Sequence, residues 1–459
     1  MRFKNWVFSL AILLLLHGQV ASAQTEKVFF GNLHSHTSYS DGSGLPSEAY
    51  QHAREAGLDF LVISDHNHKQ AENGATADRR DGILIAKDPT LYVGPQQAAI
   101  IPTSIAMTQE GHFLALYGQE FSSISKGNHL NVFDVPDVID VPNGAFDQLL
   151  TWISQHLDSS GHTAVLQFNH PSLLQDQSIE YGADDFGSKA EWIQKMDEHV
   201  RLIEILNGPA MAKDDGNRSD EVMEQDYLRF LRLGFHVAPT GDQDNHYRTW
   251  GTSTDARTAV ITDELIKTKI FDAMRARHVY ATQDRNLRMI FRINGHLCGD
   301  RVSDVPAPNS ELKIEYTIKD DDEPDAGYQI EVFSANGTGN TPAQVIQMVS
   351  VTGDTDAGKI EDVRYAGGLQ YIFFRVTQSS EEGVSDRAWT APVWFEPTGA
   401  LPVTSGPDAG DANLVASKNS KIYHVSLACI SAKAIKAENR VTGPDVKKGR
   451  TKHEGCPIK

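Results

Sequence analysis

The stretch Phe29-Phe30-Gly31-Asn32-Leu33-His34-Ser35-His36-Thr37-Ser38-Tyr39-Ser40-Asp41-Gly42 decides how the rest of the chain is read. A short β-favouring run delivers two histidines at i and i+2, then breaks into a Ser/Gly turn that carries a carboxylate. Residues two apart on a strand point the same way, so both imidazoles are expected on one face. Two same-face imidazoles with a nearby Asp are the beginning of a transition-metal site.

Working outward, short apolar runs alternate with helix-like stretches from Val28 to about Arg292. Ser47 to Ala56 reads as a helix closed by Gly57. Phe60 to Ser64 reads as a strand that ends in Asp65-His66-Asn67-His68. Phe113 to Gln119 is a strand ending at Glu120, and Thr163 to Phe168 one ending at Asn169-His170-Pro171. His236 to Pro239 leads to Gly241-Asp242-Gln243-Asp244-Asn245-His246. Helical stretches at Phe146 to Leu157 and Ser219 to Leu233, with a strand at Leu202 to Leu206, complete the alternation. Non-alternating apolar strands separated by helices predict an α/β fold of parallel strands, and their number favours a barrel. Ligand-type residues follow the strands one after another, where sites are built in such folds.

From about Leu287 the pattern changes to short strands of alternating polarity with Gly, Asn and Asp turns. Roughly seven such runs predict a small β-sandwich with a supporting role. The expected organisation is a signal peptide at 1–23, a barrel at 24–288, a β-sandwich at 289–397, a linker at 398–412 and a basic tail at 413–459. Arg2 and Lys4, an apolar Trp6 to Leu16 and Ala21-Ser22-Ala23 carry the signal-peptide reading. The mature chain is therefore expected without a transmembrane segment and exported, to a periplasm or beyond it.

A net charge of −19 argues against duplex nucleic acid as a partner. From Leu414 onward, however, ten Lys and Arg face three acidic residues, so the tail can contact an anionic surface. Three cysteines, Cys298, Cys429 and Cys456, are too few to build an exported fold on disulfides.

The motif Phe30-Gly31-Asn32-Leu33-His34-Ser35-His36-Thr37 with Ser40-Asp41-Gly42 resembles the opening of the PHP (polymerase and histidinol phosphatase) metallohydrolases. Val62-Ile63-Ser64-Asp65-His66-Asn67, Gly118-Gln119-Glu120, His129, Asn169-His170-Pro171 and Asp244-Asn245-His246 are similar to its later motifs, in order. The leader, the trailing β-domain and Ala273 to Thr282 resemble the secreted carbaryl-hydrolase-like (CehA/McbA) branch. The resemblance implies a distorted (β/α)7 TIM-like barrel with two or three divalent ions, zinc, manganese or iron. It implies His34, His36, Glu120 and Asp244 around one ion, with Glu120 bridging to a second held by His129 and His170. Asp41, His66 and His246 would hold a third. His129 competes with His112, His68 and His162 for its place, because its surroundings read as loop.

The implied activity is hydrolysis of a small-molecule or polymer ester by a metal-bound hydroxide, with phosphoesters favoured. Carboxylic or carbamic esters are the alternative, and a non-enzymatic polymer-binding protein is a third reading. Asp65, Glu120 and His246 are the expected catalytic groups, Asp65 as a ligand orienter or proton shuttle. Arg248, His278 and Arg285 are candidates for a substrate anion. The tail resembles a Cys-containing module found after some secreted nucleases. That module ends Cys-x-x-Cys, whereas Cys456 here precedes only Pro457-Ile458-Lys459. A Cys429–Cys456 disulfide is therefore favoured over a four-ligand zinc site.

Overall fold

The computed structural model describes residues 26–67, 85, 88–95, 98–121, 128–142, 144–171, 181–216, 220–336, 342–379 and 385–398, and four short strands between 415 and 452. The first part runs β1 (Lys27–Asn32), α1 (Pro46–Glu55), β2 (Phe60–Ile63), α2 (Thr90–Val93), α3 (Ile100–Met107), β3 (Leu114–Phe121), β4 (Leu130–Phe133), α4 (Phe146–Gln155), β5 (Leu166–Phe168), α5 (Lys189–Asp197), β6 (Val200–Asn207), β7 (Glu221–Val222), α6 (Glu224–Leu233), β8 (Ala238–Gly241), β9 (Arg257–Thr262), α7 (Lys267–Ala276) and β10 (Val279–Thr282). The second part is all strand: β11 (Arg288–Ile293), β12 (His296–Leu297), β13 (Arg301–Val302), β14 (Ile314–Lys319), β15 (Gly327–Asn336), β16 (Gln344–Thr352), β17 (Thr355–Ile360), β18 (Gln370–Ser379), β19 (Ser385–Thr390) and β20 (Val393–Phe395).

The helices form where apolar residues recur every three to four positions. In α4 the buried set is Phe146, Leu149, Leu150 and Ile153, one stripe of an amphipathic helix. α6 buries Tyr227, Phe230 and Leu231 and stops at Gly234, whose φ of 101° is the left-handed conformation that ends a helix at little cost with glycine. Strand residues alternate between two faces. Leu61 and Ile63 join the core beneath the helices. Phe60 and Val62 face the other way, where Ile270, Phe271 and Met274 of α7 close on them.

Parallel pairs join β1 to β2, β2 to β3, β5 to β6 and β6 to β8. The expectation of uniformly parallel strands is corrected at five places, one of them the short antiparallel pair β6–β7. β3–β4, β4–β5, β1–β9 and β9–β10 are the other four. Only eight residues separate β3 from β4, too few for the crossover that a parallel pair requires. The barrel ladder is not closed among the described residues. β8 and β9 share no ladder pairing, and Thr258 Oγ1 spans the gap, accepting from Gly241 N at 3.0 Å and donating to its carbonyl at 3.2 Å. The fold is mixed α/β with one large sheet.

That sheet does not stop where the β-rich part begins. β10 pairs antiparallel with β19, and β19 with β18. A four-stranded sheet, β12-β11-β14-β17, covers it. The core between them draws Val28, Phe30, Ala259, Ile261 and Tyr280 from the first part, and Phe291, Ile318, Ile330, Phe374 and Phe395 from the second. β17 and β19 were not legible in the sequence. Cys298 is a buried free thiol. The leader, Cys429, Cys456 and His68 lie outside the described residues. In the tail, Val415–Ser417, Ile422–His424, Arg440–Thr442 and Thr451–Lys452 pair with one another as a separate small sheet among the described residues. No helix among the described residues is long and apolar enough to cross a membrane.

Candidate metal centre

β1 ends at Asn32, so His34 and His36 lie just beyond the strand rather than on it. The chain stays extended there because Ser35 bridges to Asn245, and His36 N donates to Asn245 O at 2.9 Å. His34 and His36 are wholly buried, with ring centroids 5.2 Å apart. The turn that follows brings Asp41 back over them. Gly42 permits it, since a Cβ there would lie 2.8 Å from the His36 carbonyl carbon.

Each neighbouring strand adds a donor. His66 follows β2 and stacks on His36 at 4.5 Å between centroids. Glu120 lies inside β3 rather than after it, 1% exposed. His129 directly precedes β4, and the β3–β4 hairpin returns it to Glu120, Nδ1 to Oε1 at 3.0 Å. His170 follows β5, while Asp244 and His246 follow β8. His170 and Asp244 both hold positive φ, 30° and 51°, strained for residues other than glycine and common where a site dictates the backbone.

All nine expected residues converge, in four overlapping groups: His36/Asp41/His66/His246, His34/His170/Asp244, His34/His36/Glu120 and His66/Glu120/His129. The spacing within them is specific. His34 Nε2 lies 3.2 Å from His36 Nε2, 3.2 Å from Glu120 Oε1 and 3.1 Å from Asp244 Oδ1. His36 Nε2 lies 3.4 Å from Glu120 Oε2 and 2.9 Å from Asp244 Oδ1. Donors bound to one ion at about 2.1 Å sit roughly 3.0 to 3.4 Å from each other at octahedral or tetrahedral angles. Asp41 Oδ1, Asp244 Oδ1 and His170 Nδ1 are buried without a well-formed hydrogen bond, although His246 Nε2 is 3.2 Å from Asp41 Oδ1. Imidazole nitrogens and carboxylate oxygens crowded to this spacing, with buried lone pairs left over, fit divalent cations. An N/O set of this kind suits zinc, manganese or iron.

The electrostatics agree with the geometry. Burial alone would raise the pKa of Glu120, yet His34, His66 and His129 hold it well below the carboxylate range. Burial likewise opposes ionisation of Asp41, and His66 and His246 override it. Burial depresses His36, and the charges of His246 and His66 push it down further, to about 4. His66 goes the other way: burial lowers it, but Glu120 and Asp41 raise it to about 9.

Of the two roles expected for Asp65, ligand orienter or proton shuttle, its hydrogen bonds fit the first. It is fully buried, and both its oxygens serve the preceding loop. Oδ1 accepts from Thr37 N at 2.7 Å and Ser40 Oγ at 2.5 Å, and Oδ2 from Thr37 Oγ1 at 2.5 Å. With its acceptors committed, Asp65 positions the Asp41 turn rather than shuttling protons. Arg248 pairs with Glu48 at 3.0 Å, His278 with Asp300 at 2.8 Å and Arg285 with Asp255 at 3.6 Å, so each has a local partner. His112 and His162 stand outside the four groups.

Sequence reasoning missed the residues behind the ligands. Glu204, in the middle of β6 and wholly buried, receives His34 Nδ1 at 2.7 Å. Asn169 Nδ2 donates to Glu120 Oε1 at 2.9 Å. Asp242 accepts from Leu33 N at 2.6 Å and Gln167 Nε2 at 3.0 Å, and burial with Glu204 nearby lifts its carboxyl to about 7. The one available signal was a Glu inside the apolar run Leu202-Ile203-Glu204-Ile205-Leu206.

No protein-family model and no curated protein matches the sequence. Solved structures do. One is a two-domain protein from Bacteroides vulgatus containing a predicted PHP-like metal-dependent phosphoesterase, at 12% identity and TM-score 0.40, covering 77% of this chain and 91% of that one. A candidate metal-dependent phosphoesterase from Bifidobacterium adolescentis matches at 12% identity and TM-score 0.26, covering 47% and 87%. An amidohydrolase from Chromobacterium violaceum, with bound sulfate and no metal, matches at 13% identity and TM-score 0.25, covering 47% and 87%. At such identities, the chemistry of this site rests on its own geometry.

Proposed function

We propose that the chain is an exported metal-dependent hydrolase acting on ester bonds, with phosphoesters as its substrate class. The observation that carries this reading is the set of donor–donor distances of 2.9 to 3.4 Å around His34, His36, Glu120 and Asp244. His34, His36, Glu120 and Asp244 would hold one ion. Glu120 would be shared with a second ion at His129 and His170, and Asp41, His66 and His246 would hold a third.

When bound, such ions supply an activated water near neutral pH and neutralise charge on the ester oxygens. The chain's own residues do the rest. Glu120 presents two oxygens to different neighbours, Oε1 to His129 and Oε2 to His66, at 3.0 and 2.8 Å. It thereby ties the His129 side of the cluster to the His66 side. Asp65 and Asn245 hold the loops on either side, so ligand geometry is set before substrate arrives. His246 Nδ1 lies 2.8 Å from the Asp244 carbonyl oxygen, which leaves Nε2, 3.2 Å from Asp41 Oδ1, as the atom that would ligate.

The test is a screen of the zinc- or manganese-loaded protein on p-nitrophenyl phosphate, bis-p-nitrophenyl phosphate and a naphthyl carbamate. Turnover of either phosphate ester, lost on chelation and restored by metal, is expected. Turnover of the carbamate alone moves the assignment to carbamic esters. No turnover, with less than one tightly bound ion per chain, overturns the hydrolase reading.

A further inference from the structure

We infer that Glu204 is a positioning residue that sets the ligand-competent state of His34 and the turn of His170 together, and that its glutamine counterpart cannot replace it. This rests on the metal-centre reading above and adds a residue that reading does not contain.

Glu204 is 0% exposed, and both its oxygens are occupied by hydrogen-bond donors from separate segments of the chain. Oε1 meets His34 Nδ1 at 2.7 Å. Oε2 accepts the backbone N–H of His170 at 2.5 Å and Asn207 Nδ2 at 2.9 Å. The first contact places the His34 proton on Nδ1 and leaves the Nε2 lone pair facing His36, Glu120 and Asp244. A carboxylate behind a ligating imidazole fixes its tautomer in this way. The second contact holds the backbone of His170 at its positive φ of 30°, with His170 Nε2 3.3 Å from Glu120 Oε1. One side chain thus governs ligands that belong to two of the proposed ion positions.

Glutamine fails here for a reason of donor count. Its amide has one accepting oxygen and one donating NH2, but Glu204 meets donors on both sides. The backbone N–H of His170 cannot change its role, so the amide oxygen must turn to it. The NH2 then faces His34 Nδ1, which can adapt only by accepting. Its proton moves to Nε2, the atom that must ligate. A near-isosteric change is therefore expected to remove His34 as a ligand without opening a cavity.

The experiment titrates zinc alone into full-length wild type and Glu204→Gln, reading stoichiometry and affinity by calorimetry. The histidine tautomers of the zinc-loaded proteins are read by long-range 1H–15N NMR of 15N-histidine protein. Wild type is expected to show His34 protonated at Nδ1. Glu204→Gln is expected to bind zinc 10- to 100-fold more weakly, with His34 protonated at Nε2 and an unchanged far-UV circular dichroism spectrum. Zinc binding unaltered in Glu204→Gln, or an Nε2-protonated His34 in wild type, overturns the proposal; the second measurement needs no variant to fold. Failure of wild type itself to bind zinc would instead refute the metal-centre reading.

Discussion

At the residue scale, the centre depends on carboxylates whose environments assign them different tasks. Glu120 is surrounded by imidazoles and stays ionised, whereas Asp65 is spent on hydroxyl and amide donors. Glu120→Gln removes the charge that two neighbouring positions share, and should lower kcat by roughly 10²-fold or more. Steady-state kinetics with metal content measured alongside checks it; full turnover in that variant would refute the shared-ligand geometry. Asp65→Ala should act differently. It strands Thr37 N–H and the Thr37 and Ser40 hydroxyls in a buried setting, at about 2 to 4 kcal/mol. Urea denaturation should register that loss, and a large drop in turnover with stability unchanged would return Asp65 to a proton-carrying role. Asp65 also shows what a motif leaves open. Its place beside His66 was legible, but the direction of its oxygens follows from the loop folding back on it.

At the scale of elements, the sequence marked most strands and helices of the first part, because buried parallel strands and amphipathic helices leave strong periodicities. α4 begins at Phe146 as expected, while α6 begins at Glu224, five residues later than its pattern implied. The β3–β4 hairpin was missed: β4 has four residues, too few to show a period, and its partner lies across a break in the pattern. That hairpin carries His129 to Glu120, so the ligand with the poorest sequence context is placed by an unseen strand. Between elements, Arg375 on β18 grips Glu224 of α6 at 2.6 and 2.8 Å and Glu331 of β15 at 2.6 and 2.9 Å. Truncating it would leave two mostly buried carboxylates unpaired. Arg375→Met should cost about 3 to 5 kcal/mol by chemical denaturation; a cost under 1 kcal/mol would mean that solvent already screens the trio.

At the scale of the whole molecule, the β-rich part is continuous with the sheet that carries the centre. Ending the chain at residue 288 would bare the β10 edge and the apolar face of Val28, Phe30, Ile261 and Tyr280. Such a fragment should be insoluble or lack cooperative unfolding, and a soluble fragment with a sharp melt would show the two parts to be independent. The contact is also sensitive to pH. His236, before β8, places Nδ1 2.7 Å from Asp197 and Nε2 2.7 Å from Glu396, which follows β20. Burial lowers the pKa of His236, but the two carboxylates raise it above the ordinary value. Burial would raise that of Glu396, which His236 and Arg301 instead hold down at about 2. The histidine contribution is complete below about pH 6.5 and disappears as pH rises through the raised value. The glutamate contribution is complete above about pH 4.5 and disappears as pH falls toward 2. The excess in melting temperature of wild type over His236→Gln should therefore peak between about pH 4.5 and 6.5, and a pH-independent difference would contradict it.

The chemical inventory of this protein was legible in its residues: a run of His, Asp and Glu in order, most of them at the end of a buried strand or in the turn after it, with His129 the exception before β4. Order and residue type are local properties, and strand periodicity records them directly. Tertiary structure alone decided that β3 turns back through β4, that Asp65 serves a loop, and that β10 hands the sheet on to β19. It also decided that Glu204, one acid inside an apolar strand, stands behind two ligands. Those facts depend on which strands become neighbours, and hydrogen bonds between distant segments leave no period in the chain that makes them.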